Sequence, residues 1–164
     1  MKSPFEARSN YVDLSGIKLT DASAEFAAGR IEVSDDHQQP YGVVHGGVYC
    51  TFAETLASTG GAIWAVEQGF AGAVGVSNKT DFLRPTTGGV LIGEATPIHR
   101  GRNQQLWQIN ITREEDGKLV APESGSSPQR RQHRVSTPRV RPVTRLTLMV
   151  DQAPSQRVSS ITTS

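Results

Sequence analysis

The chain of 164 residues is long enough for one domain with a buried core, and 36% hydrophobic and 20% charged residues are ordinary values for a soluble protein. Residues 122–164 hold seven arginines, no lysine and two acids, about +5, which leaves ten bases and fourteen acids, about −4, for the first 121 residues. The single cysteine, Cys50, excludes an intrachain disulfide and fits a reducing compartment.

The first segment of the chain, residues 1–14, is predicted to be a lead-in that is irregular or a short helix. Its opening "MKSPFEARSN" lacks the apolar stretch of a signal peptide. The longest apolar run, 46–66, contains Glu54 and many small residues, so we expect a buried helix and no membrane span. Together these features predict a cytoplasmic protein.

Two strands, over 16–23 and 24–35, are predicted to follow the lead-in, with a tight connection between them. The polar stretch 35–42 contains a proline and a glycine and is predicted to be a loop. One helix is then predicted over 46–69, closed by a glycine. Its small residues predict that another element packs closely against it; they are Ala53, Ala57, Gly60 and Gly61.

Three further strands are predicted over 73–83, 90–103 and 104–116, and the last of them alternates between apolar and polar positions. A hairpin turn follows, and "LVA" at 119–121 begins another strand. One long helix among strands joined by short turns predicts an α+β domain over 15–121, with an antiparallel sheet packed on the helix.

The stretch "QPYGVVHGGVYCTFAE" places chemically useful groups around the start of the predicted helix. Unpaired N–H groups at Gly46 and Gly47 favour a developing oxyanion. Glu54 is the only charged residue in 46–66, and a carboxylate with apolar neighbours becomes more basic. The alternatives are a glycine loop that requires positive φ angles and a carboxylate on a solvated stripe.

Gly46 and Glu54 are too far apart to act on one substrate from a single helix. Eight residues correspond to about 12 Å at 1.5 Å per residue, whereas reacting groups must lie about 3 Å apart. If both groups act together, they most simply come from two chains, which predicts a homodimer with shared active sites. Ser58 lies one turn beyond Glu54 and is predicted to orient a water or the carboxylate, with small-residue packing as the alternative.

Four motifs together resemble the hotdog-fold acyl-CoA thioesterases: "QPYGVVHGG", "ETLAS", "VGVSNKTDFLRP" and "PIHRGRNQQLWQINI". The closest resemblance is to the branch of 1,4-dihydroxy-2-naphthoyl-CoA, 4-hydroxybenzoyl-CoA and phenylacetate-pathway thioesterases, over roughly residues 15–121. It implies a long helix wrapped by an antiparallel sheet, a dimer in which two sheets become continuous, and hydrolysis of an acyl-CoA to free acid and CoA.

The resemblance also implies roles for individual residues. Glu54 matches the catalytic carboxylate, nucleophile or base, and Gly46 the N–H that polarises the thioester carbonyl. His45 and Gln39 match residues flanking that carbonyl, and Ser58 the hydroxyl beyond the carboxylate. The implied CoA and acyl contacts are Gly75, Phe82, Leu83, Arg84, Pro85, His99, Arg100, Gly101, Arg102, Asn103 and Gln104. The three arginines suit CoA phosphates, with solvated charges at strand ends as the alternative.

The chain departs from the family after residue 121, where members continue the last strand. Pro122 and "ESGSSP" interrupt it. We expect residues 122–164 to be an atypical, disordered basic tail, and its lack of aromatics does not favour nucleic-acid binding. The alternative is that 145–152, which alternates Leu146, Leu148 and Val150, folds back into the vacant place in the sheet.

The leading prediction is therefore an acyl-CoA thioesterase for aromatic or medium-chain acyl groups. It acts without cofactor, metal, nucleic acid or membrane, as a homodimer or a dimer of dimers. One alternative is a non-catalytic acyl-CoA-binding hotdog protein, or an inactive variant, because the last strand is replaced. Another is a hotdog dehydratase or hydratase, whose differently spaced Asp and His pair is not found here.

Overall fold

The computed structural model describes residues 10–121 and 144–154. These form two α-helices, seven β-strands and a short 3₁₀ helix at Asp35–His37. The helices are α1 (Asn10–Leu14) and α2 (Gly46–Glu67). The strands are β1 (Ile17–Ala22), β2 (Ala27–Glu32), β3 (Phe70–Lys79), β4 (Val90–Arg100), β5 (Gln104–Arg113), β6 (Leu119–Ala121) and β7 (Thr144–Pro154). The predicted helix and strands up to residue 121 are confirmed, with ends shifted by a few residues.

The strands form one antiparallel sheet in the order β1-β2-β4-β5-β7-β3, with β6 also paired to β5. The sheet wraps α2, whose fully buried side chains include Phe52 and Leu56. From β5 the buried face presents Trp107, Ile109 and Ile111. Burial of these apolar side chains is the main force that holds the helix in the curve of the sheet.

The small residues of α2 allow this close packing, as predicted. A Cβ at position 60 would lie 2.5 Å from Cη2 of Trp107, far inside van der Waals contact. A Cβ at position 61 would collide with the Leu148 side chain of β7. The helix ends at Glu67 with Gln68 as its C-cap, and Gly69 follows with φ of 84°, a left-handed conformation that favours glycine.

Strand β7 occupies the place in the sheet that the interrupted strand leaves vacant. It pairs with β5 on one side and with β3 on the other, and Leu146, Leu148 and Val150 are buried. The expectation of a disordered tail is therefore wrong for residues 144–154, and the alternative that 145–152 folds back is confirmed. The other parts of that expectation, 122–143 and 155–164, lie outside the described residues.

Strands β6 and β7 lie end to end along the same edge of β5. Ala121 pairs with Ile111 and Thr144 pairs with Ile109, so only Asn110 of β5 lies between the two paired positions. The end of β6 and the start of β7 thus lie about one residue apart along the same line. Residues 122–143 separate two halves of a single strand position.

Candidate active site

His45 caps the first turn of α2. Its Nδ1 accepts a 2.9 Å hydrogen bond from the Gly47 N–H, and its backbone N–H donates to the His37 carbonyl at 2.8 Å. A ring nitrogen that accepts a hydrogen bond carries no proton, so this network assigns the proton of neutral His45 to Nε2. The Gly46 N–H is among the first four of the helix, which have no intrahelical acceptor. The start of α2 therefore carries one backbone donor at Gly46 and one side-chain donor on the residue before it.

The glycines of this turn permit close approach and do not serve an unusual backbone angle. Neither Gly46 nor Gly47 has a positive φ. A Cβ at position 46 would lie 2.8 Å from Cζ of Phe82, because the ring of that residue covers the glycine. The alternative that the motif is a loop requiring positive φ is therefore wrong.

A cavity of about 540 Å³ lies beside this turn. Its wall combines several residues that the sequence predicted to belong to the active site with others that were not predicted. Its lining comprises Gln39, Val43, Val44, His45, Gly46, Gly47, Tyr49, Cys50, Phe82, Leu83, Arg84 and Pro85. The mostly apolar wall with a few polar groups is typical of a small-molecule site.

Tyr49 is a part of this wall that the sequence analysis did not identify. Its ring lies against Phe82, with centroids 5.8 Å apart and planes tilted by 40°. Burial raises the pKa of the Tyr49 hydroxyl, while Thr86 and Arg113 lower it by smaller amounts. Its position three residues after Gly46, on the same face of a helix, is the signal that would have found it.

Glu54 is half-buried beneath strand β3, two turns further along α2. Its Oε1 accepts a 2.8 Å hydrogen bond from the Ser58 hydroxyl. The same oxygen lies 3.2 Å from the point where a Cβ on Gly75 would stand. The carboxylate is thus held between a hydroxyl of its own helix and a strand position that has no side chain.

Within one chain, the Gly46 donors and the Glu54 carboxylate stay apart, since they are eight residues apart on a continuous helix. Strand β3, which lies over Glu54, is at the end of the strand order and has one unpaired edge among the described strands. Its Val74 and Val76 side chains are 58% and 52% exposed. The unpaired N–H and C=O groups of such an edge are suited to pairing with another strand.

The predicted contacts at 99–104 form a third group, at the β4–β5 turn near the other end of α2. Arg100 donates to the Ala24 carbonyl at 2.9 Å, forms an ion pair with Glu25 and lies over the Trp64 ring. The hydrogen bond from Arg100 lowers the pKa of Glu25. The guanidinium of Arg100 is thus bound to groups of its own chain in this structure.

The neighbouring Gly101 N–H closes the turn by donating to the Gln104 carbonyl at 2.8 Å, and the Asn103 carbonyl accepts from Val150 of β7. His99 lies next to Gly101, 3.1 Å from its Cβ position. Among residues 10–121 and 144–154, no group of three or more His, Cys, Asp or Glu could hold a metal ion. In the same residues, no helix is long and apolar enough to cross a membrane.

Comparison with known proteins identifies this architecture as the hotdog thioesterase fold. The family model described as the thioesterase superfamily matches residues 41–120. A putative esterase of Mycobacterium tuberculosis is 42% identical over 107 residues, 65% of this chain and 76% of that protein. Its solved structure superimposes with a TM-score of 0.73 at 31% identity, covering 90% of this chain and all of that chain.

Other relatives carry more specific names. The 1,4-dihydroxy-2-naphthoyl-CoA thioesterase 2 of Arabidopsis thaliana is 31% identical over 111 residues, 67% of this chain and 69% of that protein. A thioesterase structure from Haemophilus influenzae has a TM-score of 0.70 at 33% identity, covering 91% of this chain and 88% of that chain. The chain belongs to the thioesterase superfamily and is a thioester hydrolase.

Proposed function

We propose that this protein hydrolyses an aromatic or medium-chain acyl-CoA to the free acid and CoA, in two active sites that a homodimer shares. Each site takes the N-terminal turn of α2 from one subunit and Glu54 from the other. The observation that carries the proposal is the arrangement of the two helix-start donors and the half-buried carboxylate on one helix, too distant to meet within a chain.

The helix start would polarise the thioester carbonyl. The Gly46 N–H points out of the helix at the positive end of its dipole, where negative charge is stabilised. The His45 Nε2–H adds a second donor, because Nδ1 is already engaged by the Gly47 N–H. Gln39 lines the same cavity and supplies an amide that can orient the carbonyl or the attacking water.

Glu54 of the other subunit would supply the attack. Acting as a base, it takes a proton from water while the oxygen of that water bonds to the carbonyl carbon; acting as a nucleophile, it bonds to that carbon itself. The resulting oxyanion is held at Gly46, and its collapse breaks the carbon–sulfur bond and releases the CoA thiolate. On the nucleophile path the acyl group is then bound to Glu54 as a mixed anhydride, which water hydrolyses to the free acid and the Glu54 carboxylate. The Ser58 hydroxyl keeps one carboxylate oxygen in place through its 2.8 Å bond. Neither path needs a cofactor.

The homodimer is supported by the position of β3. This strand covers Glu54 and offers an unpaired edge, so pairing with β3 of a second copy would satisfy its free backbone N–H and C=O groups and bring the partner's helix start near. Pairing of two such dimers remains part of the proposal, and chromatography with light scattering would decide between two and four chains. The single cysteine supports a reducing, cytoplasmic location.

The test is thiol release from benzoyl-CoA, hexanoyl-CoA and 1,4-dihydroxy-2-naphthoyl-CoA by wild type, Glu54→Ala and Gly46→Pro. Proline suits the first position of a helix, and His45 already has the extended conformation (φ −65°, ψ 138°) that a residue before proline prefers, so Gly46→Pro removes the N–H without breaking the helix. Gly46→Ala is the matched control, because it makes the same contact with Phe82 and keeps the N–H.

We expect Gly46→Pro to lose about 10²- to 10³-fold in kcat relative to Gly46→Ala. Mixing Glu54→Ala with Gly46→Pro subunits should restore activity, since a mixed dimer contains one intact site. Equal rates for wild type and Glu54→Ala contradict the assignment of the carboxylate. A mixture that stays inactive contradicts the shared site. Saturable binding of a CoA ester without turnover supports the alternative of a non-catalytic binding protein.

A further inference from the structure

A second cavity lies on the other side of the His45–Gly47 turn. Its volume is about 530 Å³, close to that of the first, and His45 and Gly47 line both. The wall of the second cavity includes Tyr11 and Leu14 of α1 and Val48 of α2. A carbonyl held at the start of α2 would thus have a cavity on either side of it.

The two cavities differ in charge. The first contains Arg84, which keeps one guanidinium nitrogen on the Leu119 carbonyl at 2.7 Å while the rest of the group lies at the exposed rim. Among the residues that the structure describes, the second is lined by the exposed carboxylate of Asp36 and by no Lys or Arg. An acyl-CoA carries phosphates at one end and an acyl group at the other, so only one orientation matches these charges.

We propose that the cavity at Arg84 receives the phosphate-bearing CoA arm and that the cavity beneath α1 receives the acyl group, with Leu14 and Tyr11 selecting its size. This inference rests on the proposed function and deepens it. The apolar surface of Leu14 and Val48 would bind the acyl chain or ring. Tyr11, whose hydroxyl lies 3.0 Å from the Thr51 hydroxyl, would close the far wall.

Leu14 is a suitable position for a test because it is 84% exposed, so a larger side chain can be placed there without disturbing the core. Leu14→Trp narrows the cavity beneath α1. The matched control is Leu19→Trp, which makes the same substitution at an exposed position of β1 that lines neither cavity. Arg84→Gln removes the positive charge from the first cavity.

The experiment measures kcat/KM for acetyl, hexanoyl and benzoyl thioesters of CoA and of pantetheine, which lacks the nucleotide and its phosphates. We expect Leu14→Trp to lower kcat/KM by a factor that grows with acyl size, to about tenfold for benzoyl, equally on both carriers. Leu19→Trp should leave the relative kcat/KM values for the acetyl, hexanoyl and benzoyl esters as in wild type. Arg84→Gln should raise KM for the CoA esters and not for the pantetheine esters.

Two results overturn this inference without affecting the proposed function. One is that Leu14→Trp and wild type have the same dependence of kcat/KM on acyl size, and the other is that Arg84→Gln raises KM equally for the CoA and pantetheine esters. The inference is also overturned if Arg84→Gln gives the loss that grows with acyl size and Leu14→Trp gives the loss confined to CoA esters. The substrate would then lie in the opposite orientation. In all three cases the wild type still releases thiol. Absence of thiol release from every ester by wild type overturns the proposed function itself.

Discussion

The Glu54 carboxylate lies against the backbone of Gly75, with its Oε1 3.2 Å from the place where a Cβ would stand. Gly75 has no positive φ, so its backbone does not require glycine. The missing side chain instead makes room for the carboxylate, whose other contact is the Ser58 hydroxyl. A glycine on an edge strand thereby fixes where the candidate catalytic acid lies.

Gly75→Ala is predicted to lower kcat about tenfold with little change in KM, because a displacement of the carboxylate by a few tenths of an ångström misaligns attack on the carbonyl. The matched control is Gly72→Ala on the same strand, where a Cβ would have no neighbour within 4 Å. Steady-state kinetics with thermal unfolding of both variants tests this. An equal loss in the two variants would show that the strand, and not the carboxylate, was disturbed.

Leu148→Ala is predicted to destabilise the protein by about 2–5 kcal/mol, the usual cost of removing a buried leucine side chain. Leu148 is fully buried in β7 and packs against Gly61 of α2. Met149→Ala on the same strand is the control, since that side chain is 47% exposed. Urea unfolding of both variants measures the difference. Equal stability of the two variants would contradict the placement of β7 in the sheet.

Asp116 is predicted to make the β5–β6 turn sensitive to acid. Desolvation alone would raise its pKa, but hydrogen bonds from Lys118 and Arg113 lower it from 3.8 to about 2. Because the pKa of Asp116 is lower in the folded protein, its charge stabilises the fold in full when the pH is above 3.8, the pKa in the unfolded chain. This contribution is lost as the pH falls from 3.8 towards 2. The hydrogen bonds of Asp116 should therefore stabilise the turn at neutral pH and lose strength only in strong acid.

The measurement is the urea midpoint of wild type and Asp116→Asn between about pH 7 and pH 2. We expect wild type to be more stable at neutral pH, with the difference closing as Asp116 protonates. Glu115→Gln removes the same charge from the same turn, but Glu115 is 3.8 Å from Arg113 and its side chain is 69% exposed, so its effect should be smaller. A constant difference for Asp116→Asn at every pH would contradict the assignment.

Much of the fold could be predicted because its signals are local. The helix over 46–67 follows from a capped apolar run that a glycine ends, and β5 follows from strict alternation. The alternation did not show which face is buried; Trp107 and its neighbours pack on α2 because of the twist and order of the whole sheet. The place of β7 depends on pairing with β5 across an intervening segment, which no local pattern encodes.

The candidate site was predictable to a similar degree. The distance between Gly46 and Glu54 followed from helix geometry, but the contact of Glu54 with Gly75 depends on how β3 crosses the helix. Apart from the family resemblance, Arg100 was predicted to bind a CoA phosphate only because of its positive charge. Its ion pair with Glu25, 75 residues earlier in the chain, could not be inferred from the neighbouring sequence.

Deletion of residues 122–143 is predicted to yield a folded protein that is at least as stable as the full chain. Ala121 and Thr144 pair with Ile111 and Ile109, so one residue in place of the segment would span the position opposite Asn110 and make the last strand continuous. Shortening a connection from 22 residues to one lowers the entropic cost of closing it, by up to about 2–3 kcal/mol.

Urea unfolding and circular dichroism of this deletion, with a single threonine as the bridge, provide the measurement. The control replaces 122–143 with a Gly/Ser segment of equal length, which keeps the connection but removes its arginines. We expect the deletion to be the more stable of the two and the control to match wild type. Loss of the fold in the deletion alone would show that β6 and β7 are not two halves of one strand position.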